Sequence, residues 1–404
     1  MRILFITETV PYPLDSGGRI KTFHTLRMLA GAHQVRLHAF IREEVQRDHR
    51  QALEALGVPT TLHLVPRSIP REAWFAARSL VGAPYSVGRH FDAAVHRLIA
   101  AEAEAWRPDL VYCDHLSMGE YARRLGVPVV YDAHNVEYAI LQRFAGTRPD
   151  PLTRAAAALE WRRVRDYEAE LCRRSRLVFV VSDVDRQALS ALSGTEVPFV
   201  EVPIAVDATG ATPIPALTPA PRLLFLGGLH WPPNADALLT FVRDMWPRVR
   251  AARPDATLTS VGRDDHASAA ECRAAPGVHL TGWVPEIDPF VQQSRLLVVP
   301  MRAGSGMRVK ILEAMARGLP VVSTSVGCEG IAVVPGQHLL LADGPEAFAD
   351  AVLRVLADDG LAAQLATNAR ALVLERYDVA AVRASVLHAI AAAGTPSGQE
   401  STEV

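Results

Sequence analysis

Residues 303–324 read AGSGMRVKILEAMARGLPVVST, a glycine loop, a charged helix start and a following apolar run. The run before it, RLLVVP (295–300), has the length and composition of a strand buried on both faces. A loop, MRAGSG, follows. The spacing then predicts a helix from about Met307 to Arg317, ended by Gly318, with Pro320 opening the next strand. Glycines ahead of a helix let the backbone approach a ligand closely, and the free N–H groups of the first turn form an anion site. Lys310 and Glu313, three residues apart, share one helix face, while Val309, Leu312, Met315 and Ala316 cover the other. The residue types suit a loop that cradles a phosphate, with Arg308 and Lys310 adding positive charge and Glu313 accepting from sugar hydroxyls. From spacing alone, a solvated Lys–Glu pair behind a glycine loop reads as well. The pattern is neither a Walker loop nor G-x-G-x-x-G, so those two mechanisms are out.

The same alternation recurs along the chain. Short apolar runs predict strands at 2–8, 34–41, 60–66, 109–114, 128–133 and 177–182, and again at 222–228, 256–262, 279–283, 295–300, 320–324 and 338–342. Helical patterns such as 153–175, 235–250 and 361–374 lie between them, which argues for βαβ units and parallel sheets. With 404 residues the chain exceeds one ordinary core, so two doubly wound domains are expected. The boundaries read as 1–205, a Pro/Thr-rich linker at 206–222, a second domain at 223–376, a helix at 377–393 returning to the first domain, and a polar tail at 394–404. In open α/β sheets ligands bind beyond the carboxyl ends of the strands, so a cleft between two such domains is the expected site.

Bulk properties narrow the class. Net charge is −2, from 42 basic and 44 acidic residues, which excludes a bulk nucleic-acid binder. Four dispersed cysteines with no C-x-x-C pair argue against a disulfide framework or structural zinc and fit the cytoplasm. The opening MRILFITETV reads as a strand rather than a signal peptide, and no stretch approaches the ~20 apolar residues of a membrane span.

The order P-x3-G-x-G-x3-K-x2-E-A-M-A-x-G-x-P-V-V-x-T in 300–324 resembles the donor-binding signature of family 4 retaining glycosyltransferases, enzymes of GT-B architecture with two facing Rossmann-like domains. PYPLDSGGRIKTFHTLRMLA (11–30), YDAHNVE (131–137), VPIAVD (202–207), FLGGLHWPPNADALLTF (225–241), LTSVGRDD (258–265) and LTGWVPEIDPFVQQSRLLVVP (280–300) resemble further segments of that family in order and spacing. The resemblance implies roles. Glu313 would hold the ribose of a nucleotide-sugar donor, and Gly304, Ser305, Gly306 and Met307 would face its sugar and diphosphate. Gly17 and Gly18 would close on the diphosphate. Gly282, Trp283 and Val284 would lie beside the base, His134 near the transferring sugar, and Arg263 at the edge of the cleft. Each has a plainer reading: a turn before a helix for Gly17-Gly18, a structural histidine for His134, a solvated side chain for Arg263.

Two departures stand out. Many members carry a glutamate where Ser305 stands, and many follow the first strand of the second domain with an Arg and a nearby Lys; this chain has Gly228 and then HWPPN. Arg308 and Lys310 are therefore expected to stabilise the leaving diphosphate, while Asn234 reads as the N-cap of the following helix, with Asp236 in its first turn. The implied reaction is sugar transfer from a nucleoside diphosphate to an acceptor hydroxyl, with retention by front-face substitution and no metal or other cofactor. The acceptor is free or lipid-linked, read by the apolar and basic segments 66–90 and 138–155, which also suit peripheral membrane contact. Two alternatives stay open: another GT-B reaction such as sugar-nucleotide epimerisation, and a catalytically silent nucleotide-sugar-binding protein.

Overall fold

The computed structural model describes residues 1–394 except 15, 67, 80, 147–149, 195 and 304–305, and at 45 and 47 the backbone alone. Most of the segment read as a tail, from 395 on, therefore lies outside the described residues. The chain forms two compact units, one of residues 1–204 with the chain from Val382 onward, the other of Ala205–Ala381.

Unit 1 holds a seven-stranded sheet of β1 (Arg2–Thr7), β2 (Gln34–Ile41), β3 (Thr60–Leu64), β4 (Leu110–Asp114), β5 (Val129–Ala133), β6 (Leu177–Val180) and β7 (Phe199–Glu201). Its order is β3-β2-β1-β4-β5-β6-β7, all parallel. Unit 2 repeats the scheme with β8 (Arg222–Leu226), β9 (Thr257–Val261), β10 (Val278–Leu280), β11 (Leu296–Val299), β12 (Val321–Ser323) and β13 (Leu340–Leu341) in the order β10-β9-β8-β11-β12-β13. Each is the doubly wound Rossmann order, with a switch point between the first and fourth strands of the unit. The central strands are wholly buried, Ile3 to Ile6 and Leu296 to Val299 among them, because helices cover both faces. All twelve predicted strands are present. Only β7 escaped the sequence reading, a three-residue strand between Pro198 and Pro203.

Three local differences have identifiable causes. The helix expected over 235–250 is broken in three: Pro232–Thr240, a π-helical turn Phe241–Met245, and Trp246–Ala252. Pro247 cannot donate within a helix, and the backbone N–H of Trp246 bonds Phe241 O instead. The helix after the glycine loop is Val309–Ala316, shorter than expected, because Arg308 keeps an extended backbone (φ −88°, ψ 92°) at its N-cap. Asn234 is not an N-cap. The helix starts at Pro232, as proline suits a first turn, and Asn234 lies inside it with its side chain turned toward the loop after β8.

The segment 206–222 is bonded into unit 2. Asp378 accepts from the N–H groups of Ala208 and Thr209 at 3.0 Å each, and Val206 bridges the chain at 377–379.

Two side-chain arrangements deep in the fold can be tested. Glu168 in the helix Pro151–Arg174 is fully buried and accepts from the backbone N–H groups of Glu137 and Tyr138, which start the helix Glu137–Gly146. Burial pushes its carboxyl up to about 8. Its folded value exceeds its unfolded one, so the stability it contributes is complete below the ordinary carboxyl range and is lost as pH rises toward 8. Glu168→Gln should match the parent in thermal unfolding near pH 5 and exceed it at pH 8, whereas Glu168→Ala should cost about 2–3 kcal/mol. In unit 2, a Cβ on Gly262 would lie 2.5 Å from the carbonyl carbon of Gly227, in a loop of backbone that cannot move aside. Gly262→Ala should therefore destabilise the protein by about 2 kcal/mol or more in urea unfolding.

Candidate active site

In unit 1 the carboxyl ends of β1, β4 and β5 meet beside the switch point. Each carries a polar residue at or next to its end: Thr7, Asp114 and Asp132, all fully buried. A buried carboxylate needs several donors, and Asp114 has four. Thr7 Oγ1 (2.6 Å) and Thr22 Oγ1 (3.0 Å) donate to its Oδ2, His115 Nδ1 lies 3.0 Å from the same oxygen, and His134 Nε2 lies 2.8 Å from Oδ1. Asp132 pairs with the buried Lys21 of the helix Gly17–Ala30 and accepts from Tyr112 OH at 2.7 Å. These partners outweigh desolvation, so both carboxyls lie below their ordinary range, Asp132 at about 2.

The two imidazoles flank Asp114 with ring centroids 3.7 Å apart. Their outer nitrogens, His115 Nε2 and His134 Nδ1, both face Gly18, where a Cβ would lie 3.8 and 3.9 Å from them. His115 holds φ 74°, a backbone conformation rare for a residue with a side chain and characteristic of functional turns. Burial would lower its pKa, but the carboxylates of Asp114 and Glu8 more than reverse that and push it up to about 10. Glu137 adds a further carboxylate in the same direction. Asp114, His115 and His134 are also a possible metal-ligand set, with one ligand atom of each within 4.8 Å of the others. Each ring already spends one nitrogen on Asp114, which fits a hydrogen-bonded His–Asp–His set as well.

In unit 2 the corresponding place is the loop after β8. Lys310 Nζ donates to Asn234 Oδ1 at 2.9 Å and stands 5.1 Å from the ring centre of Phe225. Asn234 in turn donates to Gly228 O at 3.0 Å. A Cβ on Gly227 would meet Lys310 Nζ at 2.8 Å and Asn234 Nδ2 at 2.6 Å, so the absence of a side chain there is what admits the ammonium. No carboxylate pairs with Lys310 among the described residues, and burial, reinforced by Arg308, lowers it to about 7. Arg308 is buried, with its guanidinium on Gly306 O. Glu313, one turn beyond Lys310, is half-buried, and burial raises its carboxyl. Its neighbour Arg317 binds Asp288 at 2.7 Å.

The structure brings Arg308, Lys310, Glu313, Gly306 and Met307 together on one strand–loop–helix unit, with Met307 buried. Gly304 and Ser305 lie outside the described residues. Gly282 joins this side of the unit through Gly262 N–H, which donates to its carbonyl at 3.0 Å. Trp283 beside it is 66% exposed, Val284 is half-buried, and Arg263 is exposed with its carbonyl accepting from Leu229 N–H at 2.6 Å. Gly17, Gly18 and His134 cluster separately in unit 1. The sequence reading missed Asp114, His115 and Lys21. A signal existed: β4 ends in YCDH and β5 in YDAH, the same residue types at adjacent strand ends.

Residues 22–209 match the model for Glycosyltransferase Family 4, and residues 220–358 match that for Glycosyl transferases group 1. A 44.6 kDa protein of the cps region of Klebsiella pneumoniae is 27% identical over 173 residues, 41% of this chain; the match spans only 45% of that protein. A D-inositol 3-phosphate glycosyltransferase of Xylanimonas cellulosilytica is 27% identical over 309 residues, 70% of this chain and 71% of its own. Among solved structures, HepE of Anabaena in complex with UDP shares 15% identity, with a TM-score of 0.67 over 97% of this chain and 100% of its own. Sucrose-phosphate synthase of Thermosynechococcus elongatus shares 17%, with a TM-score of 0.70 over 98% and 100%. These two establish the fold alone. Taken with the two family matches, which between them run through both sheets, they identify the chain as a member of the family 4-type glycosyltransferases of GT-B architecture.

Proposed function

We propose that the protein transfers a sugar from a nucleoside diphosphate to an acceptor hydroxyl, free or lipid-linked, in the cytoplasm, with retention at the anomeric carbon and without a metal. The observation that carries this reading is the Lys310 ammonium seated against Gly227. Relatives of this family often place a basic pair after that strand; here a side chain from another helix reaches the same loop. A cation there without a carboxylate partner among the described residues is suited to an anionic ligand. The names of the relatives agree: HepE was solved with UDP and with UDP-glucose.

In this reading Lys310 and Arg308, with the backbone of Gly304, Ser305, Gly306 and Met307, take the charge that develops on the departing diphosphate. Glu313 accepts from the ribose, Gly282, Trp283 and Val284 contact the base, and Arg263 borders the donor. Gly17 and Gly18 approach the diphosphate, and His134, oriented by Asp114, holds a sugar hydroxyl. The bond from the anomeric carbon to the phosphate oxygen breaks as the acceptor oxygen attacks the same face, and its proton passes to the leaving phosphate oxygen. A covalent route would need a free carboxylate. Asp114 and Asp132 are buried and engaged in hydrogen bonds, so neither is free to serve as that nucleophile.

Thermal unfolding with UDP, GDP, ADP and TDP tests the donor class. A nucleotide at a hundred times its dissociation constant adds about 2.7 kcal/mol of stability. One nucleotide should shift the midpoint selectively, and Glu313→Ala and Lys310→Met should each abolish most of that shift. Absence of a shift with all four would overturn the reading. A shift without transfer to any acceptor would favour a silent binding protein.

The same assay has a pH signature. An anion prefers the protonated amine, and Lys310 loses its proton as pH rises through about 7. Binding should therefore weaken between pH 7 and 8.5 in the parent, and stay flat over that range in Lys310→Met.

A further inference from the structure

The loop after β8 has two glycines in succession, and each has a basic side chain where its own would stand. A Cβ on Gly227 would meet Lys310 Nζ at 2.8 Å, and a Cβ on Gly228 would meet His230 Nδ1 at 2.6 Å and Cε1 at 2.5 Å. The imidazole of His230 is thus folded back over its own loop, in the space that a side chain at 228 would fill. His230 is exposed, and its ring forms no hydrogen bond among the described residues. The backbone nitrogen of Arg263 lies 3.6 Å from the same point, and its N–H has no hydrogen-bond partner among the described residues either.

The helix that follows cannot supply these donors itself. Helix N-termini hold anions through the free N–H groups of their first turn. Here the first two residues are Pro232 and Pro233, which have none. The next two N–H groups, of Asn234 and Ala235, both donate to Trp231 O, at 3.0 and 3.2 Å. The four leading positions of the helix are therefore closed to a ligand. An anion at this strand end depends on side chains and on the loop. Lys310 offers one ammonium, part of whose hydrogen-bonding capacity goes to Asn234 Oδ1, whereas a diphosphate spreads its charge over oxygens on two phosphorus centres.

We propose that His230 is a second donor to the diphosphate of the nucleotide sugar, its imidazole holding the place that a basic side chain at 228 would take. The inference rests on the donor reading and adds to it a residue outside the strand–loop–helix unit that carries Lys310. A neutral imidazole has one N–H and a protonated one has two, so the ring donates to a phosphate oxygen in either state. Its position suits the task, because β8 and β11 flank the switch point of this sheet, where ligands of open α/β sheets lie beyond the strand ends.

The test compares two probes on the full chain: whichever of UDP, GDP, ADP and TDP binds the parent most tightly, followed by calorimetry, and its nucleoside, followed by saturation-transfer NMR. His230→Ala should weaken the diphosphate about tenfold and leave the nucleoside unchanged. The unliganded unfolding midpoint should not move, since the side chain is exposed. A compensating variant separates a direct contact from a structural role. Gly228 does not hold a positive φ, and once the ring is gone the next nearest atom to a Cβ there is Arg263 N, at an ordinary 3.6 Å. Gly228→Arg in the His230→Ala background should therefore recover most of the lost affinity. Parental diphosphate affinity in His230→Ala, an equal loss for the nucleoside, or no recovery in a double variant that unfolds at the parental midpoint overturns the inference alone. A parent that binds none of the four nucleotides overturns the donor reading and this inference with it.

Discussion

A carboxylate with no access to water must be surrounded by donors, and the first unit is organised around meeting that demand at Asp114. Its four partners come from β1, from the helix after β1, from the turn after β4 and from the end of β5. Removing any one donor would leave part of a buried charge unsatisfied, so the strand ends are fixed relative to one another more tightly than packing alone requires. The histidines inherit that precision. Each is held through one nitrogen, and the other faces the glycine at the start of the helix Gly17–Ala30. The strain in the backbone of His115 is sustained by the same network.

Unit 2 meets the opposite problem. Lys310 is a half-buried amine, and the described residues supply an amide oxygen and an aromatic face rather than a countercharge. Such an environment leaves the amine easily neutralised, which explains its lowered pKa. The glycines around it are part of the same solution. Gly227 leaves room for the ammonium, and Gly262 lets the loops after β8 and β9 touch backbone to backbone. At its switch point unit 1 satisfies Asp114 and Asp132 with internal donors, while Lys310 in unit 2 has no carboxylate partner among the described residues.

How much of this was legible in the sequence depends on its range. Strands buried on both faces announce themselves as apolar runs, and so both sheets could be drawn from residues such as RLLVVP and LVFVVS. Proline effects were visible in principle, yet the conversion of a helix into a π-turn ahead of Pro247 depends on where neighbouring turns pack. Asn234 was misread because a cap is a local pattern, while its actual partner, Lys310, lies 76 residues away. Asp114 and His115 went unnoticed for a similar reason. Their meaning arises only when β4 and β5 lie side by side and Asp114 comes into register with Asp132. The Ser305 replacement was visible in the sequence, but its position lies outside the described residues.

The short bridge between Val206 and the chain at Tyr377–Val379 has an architectural meaning. Val206 N–H donates to Tyr377 O at 2.9 Å, and Val379 N–H donates to Val206 O at 3.1 Å. The points where the chain enters and leaves unit 2 are thus neighbours, and this unit is topologically an insertion into unit 1 rather than a second bead on a string. Domains whose termini lie close together tolerate excision and transplantation. Ala205–Ala381 can be treated as a cassette, a module exchangeable between chains without rerouting the polypeptide that receives it.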